Sequence, residues 1–257
     1  KLRELALRGD GTNPADVVFV EVGGTVGDYE NGFYIEALRE LAFEEGPESC
    51  CFVALTYVIE PQTLGEQKSK AAQLGIKRLM EAGVQPQLIA CRAGRPVDDK
   101  VLEKIAMFSN VPLNRVMSMH DRSSIYTIPD EMRAEGIDRE ILSILDLHNR
   151  VNQSHEDNAR KNWTRFIVGL TKTNRKPVTI GILGKYTEVR DAYASIDKAL
   201  EHCSSHLDAD ITQHWLEVSD LTTPERAASS LANLDGVVVP GKWYHWLNTP
   251  VEQPLQQ

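Results

Sequence analysis

No stretch of this sequence carries the roughly 18 consecutive apolar residues that a membrane-crossing helix needs, so neither a spanning segment nor a membrane partner is expected in the 257 residues. The opening Lys1-Leu2-Arg3-Glu4-Leu5 lacks the apolar run of a secretory signal. A chain beginning on Lys reads as a piece of a longer protein. Positive charge is in short supply. With 28 Lys and Arg against 37 Asp and Glu, the formal net charge is −9, which argues against general nucleic-acid affinity because that rests on a basic surface. Cysteine is scarce. Cys50, Cys51, Cys91 and Cys203 form no CxxC pair and no metal-ligand spacing. Free thiols in an acidic protein of this size suit a reducing cytoplasm, and adjacent Cys50 and Cys51 read as core packing.

Two further motifs are missing on inspection. Gly236-Val-Val-Val-Pro-Gly241-Lys242 fits seven positions of the phosphate loop G-x-x-x-x-G-K-[ST], but Trp243 replaces the hydroxyl residue and Val237 to Val239 read as strand interior. His202 and His206 have the i, i+4 spacing of H-E-x-x-H, but Cys203 stands where the glutamate belongs, so a surface or capping role replaces zinc.

What is present begins with Asp16-Val17-Val18-Phe19-Val20-Glu21-Val22-Gly23-Gly24-Thr25-Val26-Gly27-Asp28-Tyr29-Glu30. The apolar run 17–20 predicts a strand buried on both faces of a parallel sheet, spanning 16–22. Ligands of open α/β sheets bind beyond the carboxyl ends of strands, where Glu21 would stand. A carboxylate beside small residues suits Mg²⁺ held against phosphates. For a lone Glu before Gly-Gly, a tight turn with a solvated acid is the favoured explanation. Asp28 and Glu30 make that explanation less comfortable, since clustered acids need a cation or basic partners.

Strands and helices then alternate. Helical spacing covers 32–45, with Ile35, Leu38, Leu41 and Ala42 on one face, and continues at 65–81 and 98–109. Strands are expected at 51–59, 87–91 and 115–119. The stretch 149–176 loses apolar content and reads as an interdomain connection pinned by Trp163, Phe166 and Ile167. The pattern restarts with a strand at 178–184, a helix at 191–205 and strands at 211–218 and 234–241. This predicts two doubly wound α/β domains, residues 1–150 and 177–257, joined by a linker at 151–176.

Polar residues gather at successive strand ends. Gly65-Glu66-Gln67-Lys68-Ser69-Lys70-Ala71-Ala72-Gln73 places two lysines at a helix start, where backbone N–H groups also favour anions. Taken alone, a solvated helix face with Glu66 and Lys70 as an i, i+4 pair is the simpler reading. Arg92 and Arg95 follow the next strand, ahead of Lys100 and Lys104. His120, Asp121 and Arg122 follow another, where nucleotide contact and turn capping remain equal alternatives.

The ordered set of these motifs resembles the CTP synthase family across most of the chain, from Asp16 to Gly241. Glu21-Val-Gly-Gly-Thr-Val-Gly-Asp28 is similar to the signature of the family's amidoligase domain. Supporting segments are Leu55-Thr56-Tyr57-Val58, Gly65-Glu66-x-Lys68-x-Lys70-x-x-Gln73, Cys91-Arg92, Asn110-Val111-Pro112 and Ser124-Ile125-Tyr126-x-Ile128-Pro129. Val178-Thr-Ile-Gly-Ile-Leu-Gly-Lys185-Tyr186 and Asp191-Ala192-Tyr193 resemble the opening of its class I glutaminase domain.

The resemblance implies an α/β fold: a phosphate-loop-NTPase-like amidoligase domain lacking its N-terminal part, followed by the start of a flavodoxin-like glutamine amidotransferase domain. It implies ATP-dependent amination of UTP to CTP through a 4-phosphorylated UTP, with ammonia from glutamine and Mg²⁺ as cofactor, in a cytoplasmic tetramer. By the same likeness Glu21 is a metal ligand. Asp28, Tyr29, Glu30, Lys68, Ser69, Lys70, Gln73 and Lys104 meet UTP or CTP, and His120, Asp121 and Arg122 meet ATP.

Departures accompany the likeness. Tyr29 stands where the family usually has Ile, and Ser69, Ala71 and Ala72 interrupt its basic loop. Gly241-Lys242-Trp243-Tyr244 replaces the Gly-Gly-Phe-Gly oxyanion loop, leaving Gly241 as a remnant. The family's phosphate loop is expected upstream of Lys1 and its Cys-His-Glu triad downstream of Gly241, so this chain alone is expected to be inactive. A sheet deprived of strands would expose an unpaired edge and lower solubility. A non-catalytic homologue that binds CTP or UTP for regulation is the rival reading, and a dethiobiotin synthetase-like ATPase a third.

Overall fold

A computed structural model describes residues 1–9, 11, 13–61, 63, 65–184 and 193–240. They group as two units, divided between Val151 and Asn152.

In the first unit the β-branched and apolar runs form three parallel strands, β1 (Val53–Tyr57), β2 (Leu88–Ala93) and β3 (Val116–His120), in the order β1-β2-β3. Thr56 lies beside Cys91, and Cys91 beside Ser118. Parallel neighbours need crossover connections. Helix α3 (Lys70–Glu81) supplies the first and α4 (Asp99–Ser109) the second. Their apolar stripes pack on one face of the sheet, where Ile76 and Ile105 meet Ile89 and Cys91. Helix α4 stops because Asn110 adopts the left-handed conformation, at φ 53°, a conformation that Asn tolerates.

Successive residues of a strand face opposite sides. Leu88 and Ala90 therefore point to the other face of β2, where Met117 and Ile137 join them. That face carries two short helices, α5 (Ile128–Ala134) and α6 (Ile137–Ile144). The cover stops at β2. On β1, Val53, Leu55 and Tyr57 remain exposed, Leu55 at 70%.

The first unit begins with α1 (Leu2–Arg8) and α2 (Tyr29–Glu45). Helix α2 starts three residues before the expected stretch and buries only Asn31 and Ile35. The segment 16–22 corrects the sequence reading. It is not a strand, because no ladder partner lies beside it among the described residues. Val17, Val18, Phe19 and Val20 are all exposed, Phe19 at 92%. Local propensity does not make a strand without a neighbour to take its backbone groups.

In the second unit β4 (Lys176–Gly184) lies between β5 (Ala209–Glu217) and β6 (Gly236–Val238), all parallel. Helix α8 (Ala194–Leu207) connects β4 to β5, and α9 (Pro224–Leu231) precedes β6. Thr223 caps α9, its hydroxyl accepting from the Arg226 N–H. The stretch expected to be a linker contains the 19-residue helix α7 (Gln153–Thr171). Helix α7 packs on α8 through Phe166, whose ring stands edge-on to His202 at 5.2 Å and lies 6.1 Å from His206. Those histidines are thus aromatic packing partners.

Candidate functional site

The acid loop is the first part of the site. Glu21, Val22, Gly23, Glu30, Asn31 and Tyr34 line an open cavity of about 210 Å³. Two carboxylates from either end of a ten-residue motif therefore share one wall. Asn31 makes this geometry. Its side chain is 6% exposed, and its Nδ2 donates to the carbonyl oxygens of Thr25 (2.7 Å) and Gly23 (3.2 Å). Its Oδ1 is buried with no partner. Asp28 is engaged inside the loop, its Oδ2 accepting from the Thr25 N–H at 3.1 Å. Gly24 and Gly27 hold φ of 82° and 102°, where a side chain is strained. A Cβ on Gly27 would also lie 3.1 Å from Nη1 of Arg78, so the loop rests against α3. Tyr29 is exposed and meets Phe33 edge-on at 5.9 Å.

The basic segment is the second part. Lys68 N–H donates to Ile59 O at 2.8 Å, folding the segment back beside the end of β1. Lys68 Nζ pairs with Glu66 Oε1 at 2.5 Å. The hydrogen bond and charge of Lys68, and then the charge of Lys104 on α4, hold the Glu66 carboxyl below its ordinary range. Glu66 is thus paired directly with Lys68. Lys70 opens α3 and is exposed, whereas Gln73 is buried and donates to Ser69 Oγ at 3.0 Å. Gln73 therefore shapes the helix start instead of reaching outward.

The third part joins β2 and β3. Arg92 Nη2 pairs with Asp121 Oδ1 at 2.7 Å, and Asp121 N–H donates to Ala93 O at 2.9 Å. His120 Nδ1 lies 3.2 Å from Ser118 Oγ. Arg122 turns to Glu131 at 2.5 Å. Arg95 bridges Glu60 (2.9 Å) and Asp98 (2.8 Å). Its guanidinium holds the Asp98 carboxyl below the ordinary range. Cys91, beneath this rim, is a buried thiol pushed up to about 12 by desolvation, and so is inert packing.

The second and third parts lie at or beyond the carboxyl ends of the strands, whereas the acid loop rests against Arg78 in the last turn of α3, the end away from Lys70. Sequence reasoning missed Asn31, Gln67 and Arg78. A buried amide leaves no periodic signature, and Arg78 sits on a helix face like any surface arginine. Gly241 and the neighbouring Lys242 to Tyr244, together with Lys185, Tyr186, Asp191 and Ala192 of the glutaminase-like motifs, lie outside the described residues.

Among the described residues no group of three or more His, Cys, Asp or Glu is placed to hold a metal. The donor set of the first cavity nevertheless suits Mg²⁺, which takes one or two carboxylates and completes its shell with water and phosphate.

Comparison with known proteins follows the same lines. The family model described as the CTP synthase N-terminus matches residues 2–147. A CTP synthase from Thermococcus gammatolerans is 38% identical over 226 residues, which make up 88% of this chain and 41% of that protein. The chain thus spans less than half the length of that relative.

Proposed function

This chain belongs to the CTP synthase family, and from that premise we propose that it supplies nucleotide-binding parts of a ligase that aminates UTP to CTP in pyrimidine nucleotide synthesis. The UTP 4-oxygen takes the γ-phosphoryl group of ATP, releasing ADP. Ammonia from glutamine then adds at C4, and phosphate leaves with loss of a proton. Such chemistry depends on positioning and charge neutralisation.

Mg²⁺, when bound, neutralises phosphate charge. Glu21 is its proposed ligand, with Glu30 on the same cavity wall. Asp28, Tyr29 and Glu30 are assigned to the pyrimidine nucleotide, with Asp28 acting through the loop it braces. Lys68, Lys70 and Lys104 take phosphate charge, Ser69 and Gln73 hold the helix start, and His120, Asp121 and Arg122 flank ATP. The observation that carries the assignment is the fold-back of the basic segment, which sets Lys68, paired with Glu66, beside the end of β1. Here an internal carboxylate occupies a cation that an anionic ligand would otherwise meet.

The domain reading extends the proposal. Residues 1–150 serve as the amidoligase part, 151–176 as a connection containing α7, and 177–257 as the start of the glutaminase domain. The parent protein is proposed to be a cytoplasmic homotetramer. The 257 residues by themselves contain no phosphate loop and no cysteine after Cys203, so they are proposed not to turn over. Incubation with UTP, ATP, Mg²⁺ and ammonia tests this, and appearance of CTP overturns it.

The retained acid loop and lysines also favour a second reading, a non-catalytic CTP- or UTP-binding regulator. Absence of CTP–Mg²⁺ binding in calorimetric titration removes it, and the full-length protein separates the readings: CTP formation supports the ligase, and micromolar CTP binding without turnover supports the regulator.

A further inference from the structure

We infer that Gln67 is a positioning residue that sets the placement of Lys68 relative to α4, the helix carrying Lys104; this rests on the nucleotide reading above. Gln67 lies between two exposed charged residues, Glu66 and Lys68, yet is 4% exposed. Its Nε2 donates to Pro96 O at 3.0 Å, and its Oε1 accepts from Asp98 N–H at 2.8 Å. Only this orientation matches both partners, since the amide NH₂ faces a carbonyl and the amide C=O faces an N–H.

Asp98 is the residue that precedes α4. The start of that helix is therefore bound to the segment carrying Lys68. The two flanks are fixed independently. Lys68 N–H is held by Ile59 O at 2.8 Å, and Val97 N–H donates to Ser118 Oγ at 3.0 Å. Gln67 is the buried side-chain link between these two anchored segments, beside the exposed Arg95–Glu60 pair. Its removal takes the side-chain partner from the Pro96 carbonyl and from the Asp98 N–H and frees the spacing between the cations.

Gln67→Ala and Gln67→Glu test the inference, with CTP–Mg²⁺ affinity read by calorimetry. The carboxyl of Gln67→Glu reproduces the donor–acceptor pair only when protonated, and burial against a carbonyl favours that form. Charged neighbours are Glu66 and Lys68 on its own segment and Arg95 and Asp98 on the facing one. Comparison with the unsubstituted chain at each pH removes common contributions, including those of His120 beyond Ser118 and of the nucleotide phosphates.

Gln67→Glu is expected to lose about tenfold in affinity near pH 8, the cost of one broken buried hydrogen bond, and to recover toward the unsubstituted value near pH 5. Gln67→Ala is expected to lose a similar factor throughout. A folded Gln67→Ala that binds normally, or a Gln67→Glu that tracks the unsubstituted chain at every pH, overturns the inference. Absence of nucleotide binding by the unsubstituted chain instead removes the nucleotide reading and with it the role given to Gln67. Hydrogen exchange then judges the link itself: loss of Asp98 amide protection in Gln67→Ala upholds it, and unchanged protection refutes it.

Discussion

The Asn31 side chain donates to the Thr25 carbonyl oxygen at 2.7 Å, tying the first turn of α2 to the glycine loop that precedes it. With the second bond to Gly23 O, this fixes the loop between Glu21 and Glu30. Asn31→Ala leaves two carbonyls without their donor and is expected to destabilise the loop by about 1–3 kcal/mol. Faster amide exchange across residues 23–31 and weaker Mg²⁺ binding are the readouts. Unchanged exchange would show that the amide is dispensable.

Gly27 combines a φ of 102° with a tight approach to Arg78. Gly27→Ala is therefore expected to cost about 1–3 kcal/mol through backbone strain and to displace the Arg78 side chain. Adding Arg78→Ala relieves the contact but not the strain. Thermal unfolding of both variants distinguishes these contributions, because a complete recovery in the double variant means that contact alone was responsible.

Glu66 competes with any anionic ligand for Lys68. Glu66→Gln is expected to raise CTP affinity several-fold at low salt, with the gain shrinking as salt screens the charges. The folded carboxyl is depressed by Lys68 and Lys104. Its pairing therefore contributes fully above the ordinary Glu range and is lost as pH falls through the lowered folded value. A carboxyl NMR titration reads this, and a midpoint at or above the ordinary value contradicts the pairing.

Cys91 and Cys203 should differ in reactivity. Burial pushes Cys91 up to about 12, while Cys203 is exposed. Iodoacetamide near pH 8 is expected to label Cys203 first and Cys91 only on unfolding, with mass spectrometry locating the adduct. Between the ordinary thiol value and about 12, the unfolded chain loses this proton before the folded one, so Cys91 lowers stability as pH rises there. Labelling of Cys91 in the folded chain contradicts its burial.

The face of β1 turned away from α3 carries the exposed Val53, Leu55 and Tyr57, and β1 is an edge strand among the described residues. An exposed apolar edge strand promotes association. Leu55→Lys is expected to reduce self-association in light scattering while leaving helix content unchanged. Equal association by both proteins places the sticky surface elsewhere.

The sheet was legible because β2 and β3 are short apolar runs followed by turn residues and amphipathic helices. Helices α5 and α6 were not, since each is about two turns long and takes its meaning from the face of β2 that it covers. Helix α7 was read as connection because its polar residues conceal the stripe around Phe166. The acid and basic motifs stood out as types at strand ends. Their partners did not, because Lys68 beside Ile59 and Asn31 on Thr25 are relationships of the folded chain.

The sequence by itself determined the alternation of strand and helix, the family likeness and the residues suited to a cation and to phosphate. Those follow from local periodicity and side-chain chemistry. Only the tertiary structure decided that the apolar run at 17–20 is not a strand, since a strand exists through its neighbour's hydrogen bonds. It also decided that Gln67 and Asn31, ordinary polar residues in the sequence, are buried amides that hold the loops in place. Burial and partner geometry arise when distant segments pack together.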